Sequence, residues 1–128
     1  MRLLLDTHAF LWFFIGNPSL SEKARASIEE ESSDKVFSIA SLWEIAIKVS
    51  VGKLSLSKPF HEIFPDQLAE NGIDLLGITT AHVSAITNLP FHHRDPFDRL
   101  LVAQALEEDL RVVSRDEVFE QYGIQRIW

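Results

Sequence analysis

Short apolar runs separated by longer helical patterns are the feature that most constrains this chain. The runs are Leu3 to Leu5, Lys35 to Ile39 (KVFSI), Ile73 to Ile78 (IDLLGI) and Arg111 to Ser114 (RVVS). Between them, His8 to Ile15 reads as a helix stopped at Gly16-Asn17-Pro18. Ser21 to Glu31 reads as an amphipathic helix with Leu20, Ala24 and Ile28 inward. Ser41 to Val51 ends at Gly52, and Pro59 to Asn71 at Gly72. Thr79 or Thr80 caps a helix to about Asn88, and Asp95 to Asp109 forms a longer one. A short helical turn follows Asp116, and Ile124 to Ile127 reads as a last short strand. Short apolar strands alternating with helices build a parallel sheet covered on both faces. The expectation is an α/β fold: a three-layer α/β/α sandwich around a short, mostly parallel sheet of four to five strands. With 128 residues and no linker or repeat, it should form one domain over residues 1–128.

Composition narrows the classes. Apolar residues make up 46%, enough for a real core, and there is no cysteine. Disulfides, iron–sulfur clusters and thiolate zinc sites are excluded, and the chain fits a reducing cytoplasm. The apolar start MRLLLDTHAFLWFFIG is interrupted by Asp6 and His8. It is shorter than the roughly 20 residues a membrane span takes, and it lacks a signal peptide's continuous apolar stretch. It therefore reads as buried structure, with no membrane role. The net charge of −7 argues against non-specific DNA binding. It permits a nucleic-acid enzyme whose metal offsets an acidic cluster.

In a parallel sheet of this kind, ligands bind beyond the carboxyl ends of the strands. Asp6 follows the first strand directly. Glu44 lies early in the helix after the second strand. Asp116 comes two residues after the fourth strand. Asp98 lies in the first turn of the helix that precedes the fourth strand. That helix must run antiparallel to the strands, so Asp98 also starts at their carboxyl edge. Leu101, Val102 and Ala105 lie at helical spacing beside Asp98, and burying a carboxylate there is costly unless it is paired or binds a metal. Asp6 sits between apolar runs with the same consequence. Four such carboxylates repel one another. A hard divalent cation, Mg²⁺ or Mn²⁺, resolves this and suits phosphodiester hydrolysis, where it activates water and stabilises the leaving oxygen.

Each acid also has a structural reading. Asp6 can terminate its strand in an Asp-Thr turn. Ser41-x-x-Glu44 is a capping-box pattern, unless Ser38 takes the cap and frees Glu44. Asp98 can complement its helix dipole, and Asp116 can cap the short helix after it. Asp95 precedes Pro96 and reads most simply as an N-cap. His8, His61, His82, His92 and His93 form no convincing zinc set and read as exposed or packing residues. Arg94 and Arg99 either pair with Asp95 and nearby carboxylates or meet phosphates. Lys48 and Lys53 read as solvated. Trp12, Phe13, Phe14 and Trp43 read most simply as core, the alternative being a partner surface.

LLLDTHAFLW, SIASLWEIAIKVSVGKL and HRDPFDRLLVAQALEEDLRVVSRDEVFEQYG together resemble the PIN-domain family, and closely its VapC-type toxins. The resemblance covers nearly the whole chain. Position by position, Asp6, Glu44, Asp98 and Asp116 match the family's four acids, with Asp98 favoured over Asp95 by DRLLVAQA. Ser114 falls where the family often carries a hydroxyl near the metal. The resemblance implies a compact PIN-like α/β/α fold, Mg²⁺- or Mn²⁺-dependent endoribonuclease activity on RNA, inhibition by a cognate antitoxin, and a homodimer. The expected reaction needs no protein nucleophile and leaves a 5′-phosphate and a 3′-hydroxyl. The rival expectation is a non-catalytic module whose acids dock a basic partner peptide.

Overall fold

A computed structural model describes residues 1–128. The elements run β1 (Arg2–Leu5), α1 (Thr7–Ile15), α2 (Glu22–Glu29), β2 (Asp34–Ser38), α3 (Ile39–Ser50), α4 (Phe60–Ile63), α5 (Asp66–Glu70), β3 (Ile73–Leu76), α6 (Thr80–Ile86), α7 (Pro96–Glu108), β4 (Arg111–Val113), α8 (Val118–Gln121) and β5 (Arg126–Ile127). All five strands are parallel, in the order β3-β2-β1-β4-β5. The expected α/β architecture is present, with the sheet wholly rather than mostly parallel.

The centre of the sheet is β1. Its side chains alternate between the two faces. Leu3 and Leu5 join Phe10, Phe37, Ile45 and Val113 in one core layer. Leu4 joins Leu101, Val102, Val112 and Phe119 in the other. Each buried leucine contributes roughly 2 kcal/mol, so β1 is firmly held where Asp6 leaves it. The Asp6 amide extends the ladder by donating to the Val113 carbonyl at 3.1 Å. No helix is long and apolar enough to cross a membrane.

Three expectations change. The segment from Pro59 to Asn71 is two helices, α4 and α5, not one. Pro65 separates them, because a proline ring clashes with the preceding turn and has no N–H to give. Ile39 opens α3 instead of closing β2, since Ser38 is the cap: its hydroxyl accepts from the Ala40 amide at 3.0 Å. Trp43 is not core. It is 60% exposed and meets Phe97 edge-on, ring centroids 5.3 Å apart. Trp12, Phe13 and Phe14 do pack, half-buried, against the core.

Candidate active site

Asp6 leaves β1 and immediately caps α1. One of its carboxylate oxygens accepts the Ala9 amide at 2.7 Å. A parallel sheet forces this placement, because the strand's end and the next helix's start share one edge. Asp98 lies in the first turn of α7, whose cap is Asp95. The Asp95 Oδ1 accepts the amides of Phe97 at 2.8 Å and Asp98 at 3.3 Å. The Asp95 side chain thus takes the N-cap role. Asp116 follows β4, and its Oδ1 accepts the Val118 amide at 3.0 Å. Glu44 faces the same region from α3. Thr7 Oγ1 donates to its Oε1 at 2.6 Å, and Lys48 Nζ pairs with its Oε2 at 3.2 Å.

The capping box at Ser41 does not form. The buried Ser41 hydroxyl has no partner, while Ser38 holds the helix start. Glu44 is therefore free to turn toward the other acids.

Asp6 and Asp98 feel burial and the charge of neighbouring acids. Burial pushes the Asp6 carboxyl from its ordinary 3.8 up to about 6, and the charges of Asp116 and Glu44 push the same way. Hydrogen bonds from the Ser114 hydroxyl and the Ala9 amide oppose the shift. Asp98 also rises to about 6, through burial first, then the charge of Asp95, with Asp6 and Glu44 adding to it and His93 opposing it. Neither shifted group has a full positive partner of its own. That is the electrostatic condition in which a hard divalent cation fits, since it favours every ionised carboxylate at once. The four acids offer oxygen donors only, as Mg²⁺-class ions prefer. Asp6 and Asp116 also border an open cleft of about 260 Å³, shared with His8, Trp12 and Arg115. The edge is therefore reachable from solvent.

Ser114 is fully buried and ties two acids together. Its hydroxyl hydrogen-bonds Asp6 and accepts the Asp116 amide at 3.0 Å.

Several sequence readings resolve differently here. His93 stands in the cluster, its Nε2 2.9 Å from Asp98 Oδ2 and 3.6 Å from Asp116 Oδ2. Its neighbour His92 is exposed, and that pair was readable only as surface or packing. The one sequence clue was nearness to the start of α7. His82 does pack: it is fully buried, closes a capping box with Thr79, and meets Glu108 at 2.9 Å. Arg99 neither pairs with a carboxylate nor faces solvent. It is buried, and its guanidinium donates to the carbonyls of Pro90 (3.0 Å), His93 (3.4 Å), Leu89 (3.4 Å) and Ile86 (3.5 Å). It clamps the loop that precedes α7. Lys48 is held by Glu44 instead of being simply solvated.

Known proteins share this chain's family pattern and fold. The family model described as PIN domain matches residues 3–125. Ribonuclease VapC22 of Mycobacterium tuberculosis is 32% identical over 115 residues, which is 89% of this chain and 86% of that protein. The crystal structure of VapBC2 from Rickettsia felis, bound to a promoter DNA fragment, superposes with a TM-score of 0.74 at 13% identity, covering 100% of both chains. VapBC-1 from nontypeable Haemophilus influenzae superposes with a TM-score of 0.65 at 17% identity, covering 98% of this chain and 96% of that one. By its matched residues, its relative and its fold, the chain belongs to the PIN-domain family, in the VapC-type branch.

Proposed function

We propose that this chain is a metal-dependent endoribonuclease and the toxin of a toxin–antitoxin pair. One domain, residues 1–128, carries the activity. The observation behind this is the meeting of Asp6, Glu44, Asp98 and Asp116 at one sheet edge, where Asp6 and Asp98 are pushed up to about 6 by burial and by the other acids. The relative named a ribonuclease supports RNA as the substrate class.

Asp6, Asp98 and Asp116 would hold Mg²⁺ or Mn²⁺. When bound, that cation supplies charge for the leaving oxygen and acidifies water for in-line displacement. Glu44, fixed by Thr7 and Lys48, orients the attacking water and takes its proton. Ser114 keeps Asp6 and Asp116 in register. Arg115, exposed beside Asp116 on the cleft, meets a substrate phosphate. No side-chain nucleophile is required. Hydrolysis leaves a 5′-phosphate and a 3′-hydroxyl.

The partners follow the same reading. An antitoxin inhibits by placing a basic side chain among the acids, as opposite charge favours. Solved neighbours of this fold are VapBC assemblies. A homodimer forms through α3, where Ile39, Trp43, Ile47 and Val51 make an exposed stripe at four-residue spacing. The protein works in the cytoplasm, where its RNA substrate is.

The test is to incubate purified protein with RNA in Mg²⁺, in Mn²⁺ and with excess EDTA. Cleavage is expected with either cation and none with EDTA. Cleavage that persists in EDTA would sink the proposal.

A further inference from the structure

His93 is held at three points before its Nε2 reaches the acids. Its backbone amide donates to the Tyr122 hydroxyl at 3.1 Å. Its carbonyl accepts from Arg99 at 3.4 Å. Its ring Nδ1 accepts the backbone amide of Asp95 at 3.1 Å. Tyr122 is itself fixed, donating to the Pro90 carbonyl at 2.8 Å. The ring is therefore part of a built network and not a wandering surface side chain.

The contact with Asp95 decides the ring's tautomer. A backbone N–H can only donate, so Nδ1 must be the bare, accepting nitrogen. The ring proton then sits on Nε2. That nitrogen lies 2.9 Å from Asp98 Oδ2 and 3.6 Å from Asp116 Oδ2. Turning the ring over would put carbon at both positions and lose both hydrogen bonds. A histidine binds a metal through an unprotonated nitrogen. So although His93, Asp98 and Asp116 bring donor atoms within 4.8 Å of one another, His93 faces the acids with a proton and not a lone pair.

We infer that His93 is a positioning residue: through Nε2–H it orients the Asp98 carboxylate toward the site, and it is not a metal ligand. Asp95 sets this up twice over. Its side chain caps α7, whose first turn carries Asp98, and its amide fixes the His93 tautomer. Partners that orient ligating groups in this way typically alter metal affinity by roughly 10- to 100-fold when removed. The inference rests on the metal site proposed above.

The experiment uses the intact chain. The imidazole ¹⁵N resonances of His93 are recorded without divalent cation and with saturating Mg²⁺. Mn²⁺ affinity is measured by calorimetry for wild type, His93→Gln and His93→Ala. The expected spectra show a proton on Nε2 and none on Nδ1 in both states. The expected Mn²⁺ affinity falls by about tenfold or more in His93→Ala and returns to within about threefold of wild type in His93→Gln, whose amide can donate from the same place. Loss of the Nε2 proton on adding Mg²⁺ would make His93 a ligand and overturn the inference. Unchanged Mn²⁺ affinity in His93→Ala would overturn it too, with the proposed metal site left standing. A wild type that binds no Mn²⁺ would overturn both. If His93→Ala fails to fold, the wild-type spectra and His93→Gln still decide.

Discussion

Thr7 Oγ1 donates to Glu44 Oε1 across 2.6 Å, joining the first residue of α1 to the middle of α3. The bond holds Glu44 beside Asp6, the residue just before Thr7. Thr7→Val keeps the shape of the side chain and removes the donor. The cost in stability should be small, on the order of 1 kcal/mol, because Glu44 keeps Lys48. RNA cleavage should fall by about tenfold or more, since Glu44 loses its orientation. Thermal unfolding and a cleavage time course, run side by side, check this. Unaltered cleavage would contradict it.

Asp6 should make the metal-free fold less stable as pH rises. Its carboxyl has an ordinary value of 3.8 and reaches about 6 in the fold. Between those values the folded chain keeps a proton that the unfolded chain has released. Raising the pH through that window therefore favours unfolding, and the effect levels off above about 6. The difference amounts to as much as ~3 kcal/mol. Asp6→Asn keeps an acceptor for the Ala9 amide and removes the charge. Without divalent cations it should be more stable than wild type by about 2 kcal/mol at pH 7, and the two should converge toward pH 4. Denaturant unfolding at several pH values measures both. An Asn variant less stable than wild type at pH 7 would refute this account of Asp6.

Arg99→Leu should release the loop before α7. The substitution leaves the carbonyls of Pro90, His93, Leu89 and Ile86 without their shared donor. A loss of roughly 2–3 kcal/mol is expected for the charged hydrogen bonds. Amide exchange in residues 86–93 should speed up well before exchange in β1 does. Equal exchange in both regions would mean that Arg99 is no clamp.

Trp43→Glu should separate the proposed homodimer. It places a charge in the centre of the exposed stripe on α3 while leaving the core untouched. Sedimentation should then report a monomer where wild type gives a dimer. A wild type that is already monomeric, or a variant that remains dimeric, would remove α3 as the interface.

The placement of the candidate site's acids was largely legible before the fold, and for physical reasons. Asp6 directly follows a strand with three buried leucines and Asp98 lies in the first turn of a helix with an apolar stripe, so a parallel sheet had to bring them to one edge. Glu44 was ambiguous, because Ser38 and Ser41 both fitted the cap. Only the fold shows Ser38 occupied and Ser41 unpartnered. His93 was not legible. It lies in a loop, where helical or strand periodicity says nothing about direction, and its orientation is set by Asp95, Arg99 and Tyr122 together. Trp43 stood between core and partner surface, because an apolar residue on a helix does not say whether its face is covered, and the fold leaves it 60% exposed.

Asp98→Asn tests the central claim most directly, since it keeps the shape of the side chain and removes one charge from the site. Its RNA cleavage rate in saturating Mg²⁺ or Mn²⁺ is compared with that of wild type. A loss on the order of a thousandfold or more is predicted, equivalent to several kcal/mol of transition-state stabilisation. An Asn variant that is folded and cleaves RNA at the wild-type rate would contradict a metal-dependent nuclease built on these four acids.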